Sequence, residues 1–115
     1  MMNFSPKHRI YLAIGAIDFR CGIDSLARIC QYQFQQAPRS GHYFIFRNKA
    51  KTSLKIIYYD GQGFCLFQKR LSQGQFSHWP KNPYELILMS SIDMQVLLHN
   101  GEPQKINCAP DFSSI

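Results

Sequence analysis

The clearest periodic pattern in the chain predicts a helix over about Ile23 to Gln36. Apolar residues recur there at spacings of three and four, at Ile23, Leu26, Ala27, Cys30 and Phe34. That spacing places them on one face of a helix. Asp24 lies near the N-terminal end of this segment, where the helix dipole favours a negative charge, and Pro38 closes it. The sequence therefore predicts an amphipathic helix with one apolar face.

Short apolar runs rich in β-branched and aromatic residues predict strands on both sides of this helix. The expected strands are Ile10–Ile14, His42–Arg47, Leu54–Tyr59 and Phe64–Leu71. The last two are joined by Asp60-Gly61, residues that tolerate the positive φ of a tight hairpin turn. Three consecutive strands with short connections predict an antiparallel meander, and we expect one of its faces to pack on the helix.

The C-terminal third is less regular. Gly74–Pro83 is rich in turn residues, Tyr84–Met89 is a candidate strand, and Ser90 or Ser91 can cap a short helix over Ile92–His99. The predicted fold class is α+β, with a small antiparallel sheet (meander) packed against one main helix and a short C-terminal helix. A length of 115 residues suits one domain. We expect that domain over residues 1–103 and a flexible tail over residues 104–115.

Basic residues are concentrated in one third of the chain. The net charge is +6, and the segment from Ser25 to Tyr59 holds six basic residues and no acidic one. The remainder holds seven of each sign. A localised excess suits an anionic partner such as nucleic acid, because each cation that neutralises a phosphate releases counterions. The alternative from composition alone is an ordinary solvated surface.

The cysteine and histidine positions favour no metal, cofactor or redox site. The four cysteines lack CxxC spacing and the histidines are isolated, whereas zinc sites need clustered ligands. Cys30 and Cys65 lie in apolar patterns and are interpreted as small core residues. The N-terminal residues lack the apolar region of a secretory signal, and no apolar run reaches the ~18 residues of a membrane span. We therefore expect a cytoplasmic protein with reduced thiols and no membrane segment.

The sequence contains no recognisable catalytic motif, and we predict no catalytic residue. A nuclease site built on three carboxylates would have to use Asp18, Asp24 and Asp60, the only acidic residues before Glu85. Asp60 is already explained by its turn. Metal-dependent nuclease activity through this triad stays open as a minor alternative.

Several motifs nevertheless resemble a known family. The most specific are Asp18-Phe19-Arg20-x-Gly22, Phe44-x-Phe46-Arg47-Asn48, Asp60-Gly61-x-Gly63-Phe64, Lys69-Arg70-Leu71 and Trp79-Pro80. In this order they resemble the TnpB-type ("Orf2-like") accessory protein of the bacterial insertion sequences of the sixty-six group. The resemblance covers about Ile10 to Pro80, and continues weakly through the helix that follows Ser91.

The resemblance implies a non-enzymatic protein that is encoded beside the transposase and assists movement of the element. The expected partners are DNA, in particular the transposon ends, the transposase of the same element, and a second copy of the chain. Together with the charge pattern, it leads us to predict DNA contacts from Arg47, Lys49, Lys51, Lys55, Lys69 and Arg70. The chain departs from the family by carrying lysines where more arginine is usual, and lysine lacks the bidentate fork that arginine offers phosphate.

Three further alternatives remain at this point. The chain could be a protein-interaction module that docks on the transposase or on itself through an exposed strand edge, without contacting DNA. The tyrosines could form a base-stacking platform, although most aromatic residues fit a core by alternation. Trp79 is interpreted as a cap on the core, with base contact as its alternative role.

Overall fold

The computed structural model describes residues 8–100 as one sheet with helices on both faces. The strands are β1 (Ile10–Ala16), β2 (Tyr43–Arg47), β3 (Ser53–Tyr59), β4 (Phe64–Arg70) and β5 (Leu86–Met89). The helices are α1 (Ile23–Arg28), which continues into a π-helical turn (Ile29–Gln33), and α2 (Ser91–Leu98). The α+β class predicted from the sequence is confirmed.

The five strands lie in the order β4-β3-β2-β1-β5. The predicted meander is confirmed, because β2, β3 and β4 pair antiparallel with Ile45 opposite Ile56 and Ile56 opposite Phe67. The sheet as a whole is mixed, and not antiparallel throughout as expected. β1 pairs parallel with β2, because α1 carries the chain back across one face before β2 begins. β5 pairs antiparallel with the other side of β1.

The helix predicted over Ile23–Gln36 begins as expected and ends earlier. Its last turn widens, and the amide of Phe34 donates to the carbonyl of Ile29 at 3.2 Å. Gln35 then adopts a left-handed conformation with φ of 54°, which a right-handed helix cannot continue. The helical segment therefore stops before Pro38 is reached.

Each face of the sheet buries its own apolar cluster. One face packs on α1 through Tyr11, Ala13, Leu26, Cys30, Phe44, Phe46 and Ile57. The other packs on α2 and the preceding loop through Ile10, Leu12, Tyr43, Ile45, Leu54, Ile56, Phe76, Trp79, Met94 and Leu97. The central strands β1, β2 and β3 are covered on both faces, which explains why β2 reads as a nearly continuous apolar run.

The C-terminal elements lie close to their predicted positions. The N-cap of α2 is Ser90, whose Oγ accepts a hydrogen bond from the amide of Asp93 at 3.0 Å. β5 begins two residues later than the strand predicted from Tyr84. Gly101 and the predicted tail over 104–115 lie outside the described residues, so the domain boundary at 103 stays a prediction. None of the helices in residues 8–100 is long and apolar enough to cross a membrane.

Candidate nucleic-acid interface

The loop between β2 and β3, together with the first residue of β3 (residues 48–53), is held in shape by the side chain of Asn48. Its Oδ1 accepts from the amides of Thr52 at 2.9 Å and Ser53 at 3.1 Å. Its Nδ2 donates to Oγ1 of Thr52 at 2.9 Å. One side chain therefore satisfies several polar groups of a tight loop, as asparagine commonly does in turns. We call this segment loop 48–53.

A second set of hydrogen bonds fastens loop 48–53 to the chain that follows β4. The amide of Phe76 donates to the carbonyl of Lys51 at 2.6 Å, and Nε2 of Gln75 donates to the carbonyl of Ala50 at 2.8 Å. Phe76 is itself fully buried. Its ring thus anchors the loop to the hydrophobic core. A loop fixed in this way loses little conformational entropy when it binds a partner.

Three of the six predicted DNA-binding residues lie on the surface around this loop. Lys49 and Arg70 are exposed, and Lys51 is half-buried with a left-handed φ of 60°. Arg70 joins the lysines because it pairs with Ser53 at the end of the β3–β4 ladder. We call Lys49, Lys51 and Arg70 the cationic cluster. Across residues 8–100 the ion pair that the structure records lies elsewhere, between Asp18 and Arg20.

Arg47 and Lys69 border this cluster, and the side chain of each donates hydrogen bonds to backbone carbonyls. Nε of Arg47 donates to the carbonyl of Ile14 at 3.1 Å, and its Nη1 donates to that of Asn48 at 3.3 Å. Nζ of Lys69 donates to the carbonyl of Leu98 in the last turn of α2. A cation at this position is favourable for the helix dipole. Both residues therefore have a structural role that charge counting did not indicate.

Lys55 lies inside the fold. The residue is 6% exposed, and its Nζ donates to the carbonyls of Phe19 at 2.9 Å and Cys21 at 2.8 Å. The ammonium also lies 4.8 Å from the centroid of the Phe19 ring. Strand alternation offered a signal for this burial, because Lys55 shares a face with Ile57, which packs under α1. The structure does not bring Lys55 to the cationic cluster, and a DNA contact from it stays untested.

The carbonyls that bind Lys55 belong to a turn organised by Asp18. Oδ1 of Asp18 accepts from the amide of Arg20 at 2.9 Å, and its Oδ2 accepts from Nη2 of the same residue at 2.6 Å. These bonds to Arg20 lower the pKa of Asp18 to about 2. The Asp18-Phe19-Arg20 motif is thus a self-paired turn beside the end of β1. Its exposed Arg20 is a cation that the predicted site omitted.

The three carboxylates of the nuclease hypothesis do not come together. Asp18 follows β1, whereas Asp60 follows β3, which runs in the opposite direction, so the two lie at opposite ends of the sheet. Asp60 is occupied by its turn, where Oδ1 accepts from the amides of Gln62 at 2.9 Å and Gly63 at 3.0 Å. These amides also lower its pKa. Between His8 and Asn100, no group of three or more His, Cys, Asp or Glu is placed to hold a metal ion.

The cysteines differ in their surroundings. Cys30 is fully buried, as predicted, and burial raises the pKa of its thiol to about 12. Cys65 is only partly buried and its Sγ donates to Oδ2 of Asp60 at 3.5 Å. Cys65 is therefore a half-exposed strand residue beside a turn, where a core position was expected. Cys21 is also half-buried, and Cys108 lies beyond the described residues.

The fold and the cationic end of its sheet define a small α+β protein, and comparisons with known proteins assign its family. The family model described as "IS66 Orf2 like protein" matches residues 8–107. "Uncharacterized protein y4hO" of Sinorhizobium fredii (strain NBRC 101917 / NGR234) is 41% identical over 98 residues, which cover 85% of this chain and 84% of that protein. "Uncharacterized protein y4jC" of the same organism is 37% identical over 76 residues, covering 66% of this chain and 65% of that protein. No solved structure is significantly similar to the chain.

The chain therefore belongs to the IS66 Orf2-like family, as the resemblance in its motifs indicated. Membership suggests an accessory role in transposition and association with the transposition machinery.

Proposed function

We propose that this protein assists transposition by binding DNA through the cationic cluster of Lys49, Lys51 and Arg70. The observation that carries the proposal is the fixed shape of loop 48–53, which holds two lysines beside the end of β4, where residues 8–100 place no carboxylate in an ion pair with them. Arg47 and Lys69 lie at the border of this surface and add to its positive potential. Lys55 is left out of the proposed contact, because its ammonium is bound inside the fold.

The chemistry of the cluster favours contact with the phosphate backbone over reading of bases. Lysine is a point charge on a flexible stem, and only Arg70 offers the planar fork that suits bidentate recognition. Contacts of this kind position a protein on the duplex and carry little sequence information. We therefore propose a cytoplasmic accessory factor that holds transposon DNA while the transposase supplies the chemistry.

The proposal is tested by the affinity of the purified protein for two duplexes, one with the transposon-end sequence and one of random sequence, across a salt series. Both should bind at low salt, with affinity that falls steeply as salt rises and differs little between the sequences. Failure to bind either duplex at low salt would remove the proposal.

A second candidate function is favoured by β4, which is an outer strand of the sheet among residues 8–100. Leu66 and Phe67 in the middle of this outer strand are each 37% exposed, and they lie on opposite faces. An outer strand presents unpaired backbone groups that can accept a further strand. In this alternative, β4 docks on the transposase and DNA is not contacted.

High salt separates the two candidates, because it weakens contacts between exposed charges and leaves apolar contacts in place. Co-purification with the transposase at high salt, together with no affinity for DNA at low salt, would favour the docking role. Elution as a dimer without the transposase would instead indicate that a second copy occupies the edge.

A further inference from the structure

The opposite end of the sheet from loop 48–53 carries a cleft of about 430 Å³. It lies where β2 begins and β3 ends, and the loop before β2 closes one side of it. Its side chains are mostly aromatic or polar: Arg39, Ser40, Tyr43, Tyr58, Tyr59 and Asp60. The volume lies within the roughly 300–1,000 Å³ that small-molecule sites occupy.

Arg39 is the exposed cation of this cleft. Its guanidinium carbon lies 5.7 Å from the centroid of the Tyr59 ring, within the range of a cation–π contact. Arg39 also lines a second cleft of about 690 Å³, together with Gln31, Gln35 and Gln36. The guanidinium thus stands between one cleft lined by phenol rings and another lined by side-chain amides.

The aromatic rings of the two tyrosines next to Arg39 are only partly packed in the core. Tyr58 and Tyr59 are both half-buried. Tyr58 rests on the buried ring of Tyr43, with 4.9 Å between ring centroids, and Tyr59 meets the edge of Phe64 at 5.1 Å. The rings are therefore supported from behind, as the rings of a stacking platform are.

The side chains that line the cleft restrict the chemical class of ligand that it can bind. A lone phosphate is a poor match, because Asp60, a carboxylate at neutral pH, lines the same cleft. A purely apolar ligand would leave the exposed guanidinium of Arg39 without an anionic partner. A nucleotide unit suits the cleft better, since it joins one anionic phosphate for Arg39 to a planar ring that can pack on a tyrosine.

We infer that this pair of clefts binds unpaired nucleotides of a nucleic-acid strand, with a base against the ring of Tyr58 or Tyr59 and a phosphate on Arg39. The next nucleotide along the strand lies toward Gln31 and Gln35, whose amides can bond base edges. The inference deepens the proposed function, on which it rests, by adding a site for single strands at the other end of the sheet. Loop 48–53 and this site would then hold two different parts of one DNA molecule.

The test compares binding of a labelled oligothymidylate of about 12 nucleotides, within the range of single-strand site sizes, with binding of a duplex. The protein carries Lys49→Gln with Lys51→Gln, because these substitutions weaken binding through the cationic cluster. The remaining affinity for the oligothymidylate then reports on the cleft. In this background, Arg39→Gln should lower affinity for the oligothymidylate about tenfold, because a charged hydrogen bond to phosphate is removed. Arg28→Gln is the matched control, since it removes an exposed arginine outside both clefts, and it should change affinity by less than about twofold.

A second readout locates the bound strand. The ring signals of at least one of Tyr58 and Tyr59 in an NMR spectrum should shift on addition of the oligothymidylate, while those of the exposed Tyr32 and Tyr84 should not. Equal effects of Arg39→Gln and Arg28→Gln, or unmoved Tyr58 and Tyr59 signals, would overturn the inference. Binding of free thymidine monophosphate as tightly as the strand would also overturn it, because it would identify a site for a free nucleotide.

Loss of the single-strand site and loss of the proposed function are distinguishable. If the wild-type protein binds duplex with a steep salt dependence and the cleft binds no oligothymidylate, only the further inference is wrong. If the cleft binds the strand and the wild-type protein binds no duplex at low salt, the proposal of duplex binding through the cationic cluster is wrong. The inference of a single-strand site in the cleft then still holds.

Discussion

The indole Nε1 of Trp79 donates a hydrogen bond to the backbone carbonyl of Ala13, across 66 positions of sequence and at a distance of 3.0 Å. The bond is buried, and the tryptophan itself is 4% exposed. It fastens the turn-rich segment after β4 to β1, an inner strand of the sheet. Phe76 meets the same ring edge-on, with 6.3 Å between centroids, so the two aromatic residues hold this segment together. The interpretation of Trp79 as a cap on the core is confirmed.

Trp79→Ala should lower the free energy of unfolding by roughly 3 kcal/mol, because it empties a large buried volume and removes the bond to Ala13. Urea unfolding measures the change. Trp79→Phe should cost less, since it retains most of the apolar contact. DNA affinity of the alanine variant, corrected for the folded fraction, should match that of the wild type. A fully folded alanine variant that fails to bind DNA would instead place the indole in the interface.

Replacement of Lys55 should affect folding much more than replacement of a surface lysine. Lys55→Met retains the aliphatic stem and leaves the carbonyls of Phe19 and Cys21 without their donor, which should cost about 1–3 kcal/mol. Lys49→Met is the matched control, and it should change stability by less than about 0.5 kcal/mol. Equal stability of the two variants in urea would show that the buried ammonium contributes nothing to the turn.

The pKa of Asp18 should be about 2 when followed by NMR, because Arg20 donates to both of its oxygens. Since the folded-state pKa lies below the ordinary value of 3.8, the pair stabilises the protein above that pH. The stabilisation is lost as pH falls through the folded-state value. Arg20→Gln should bring the pKa of Asp18 back toward 3.8. An unchanged pKa in this variant would mean that the carboxylate is governed by other groups.

Thiol alkylation at about pH 8 should distinguish Cys30 from Cys21 and Cys65, because only an accessible thiolate reacts. Cys30 should remain unmodified in the native protein, since it is buried and its pKa is raised to about 12. The half-buried Cys21 and Cys65 should react first, and Cys30 only after denaturation. Mass spectrometry of the digested protein gives the order. Native modification of Cys30 at the rate of Cys65 would contradict the packing of α1 on the sheet.

Most of the fold could be predicted because periodicity reports which face of an element is buried. Leu26 in α1 and Cys30 in the π-helical turn that continues it share the face that packs on the sheet, as the three-and-four spacing indicated. The hairpin also forms at Asp60-Gly61, with Gly61 at a φ of 99°, although its connection extends to Gly63 and is longer than the expected tight turn. The parallel pairing of β1 with β2 was not predicted, because strand direction depends on the path of the connection and not on the composition of either strand.

The candidate site was harder to predict, since charge in a sequence does not reveal where an ammonium points. Lys49 and Lys55 are equivalent in a count of basic residues. Lys49 is exposed, whereas the ammonium of Lys55 donates to two backbone carbonyls inside the fold. Lys69 lies near the end of the predicted strand Phe64–Leu71, and its ammonium reaches the end of α2, an element distant in sequence. Arg39 carries no signal in the sequence because the loop before β2 has no motif, and only folding brings it against Tyr59.

The salt dependence of duplex binding tests the central claim most directly. Lys49→Gln with Lys51→Gln should leave the protein folded and should lower the magnitude of the slope of log K against log salt by about two, one for each phosphate that is no longer neutralised. The matched pair Arg28→Gln with Lys81→Gln removes the same net charge from exposed positions outside loop 48–53, and its slope should equal that of the wild type within error. A slope unchanged by the lysine pair, or lowered equally by both pairs, would contradict binding through loop 48–53.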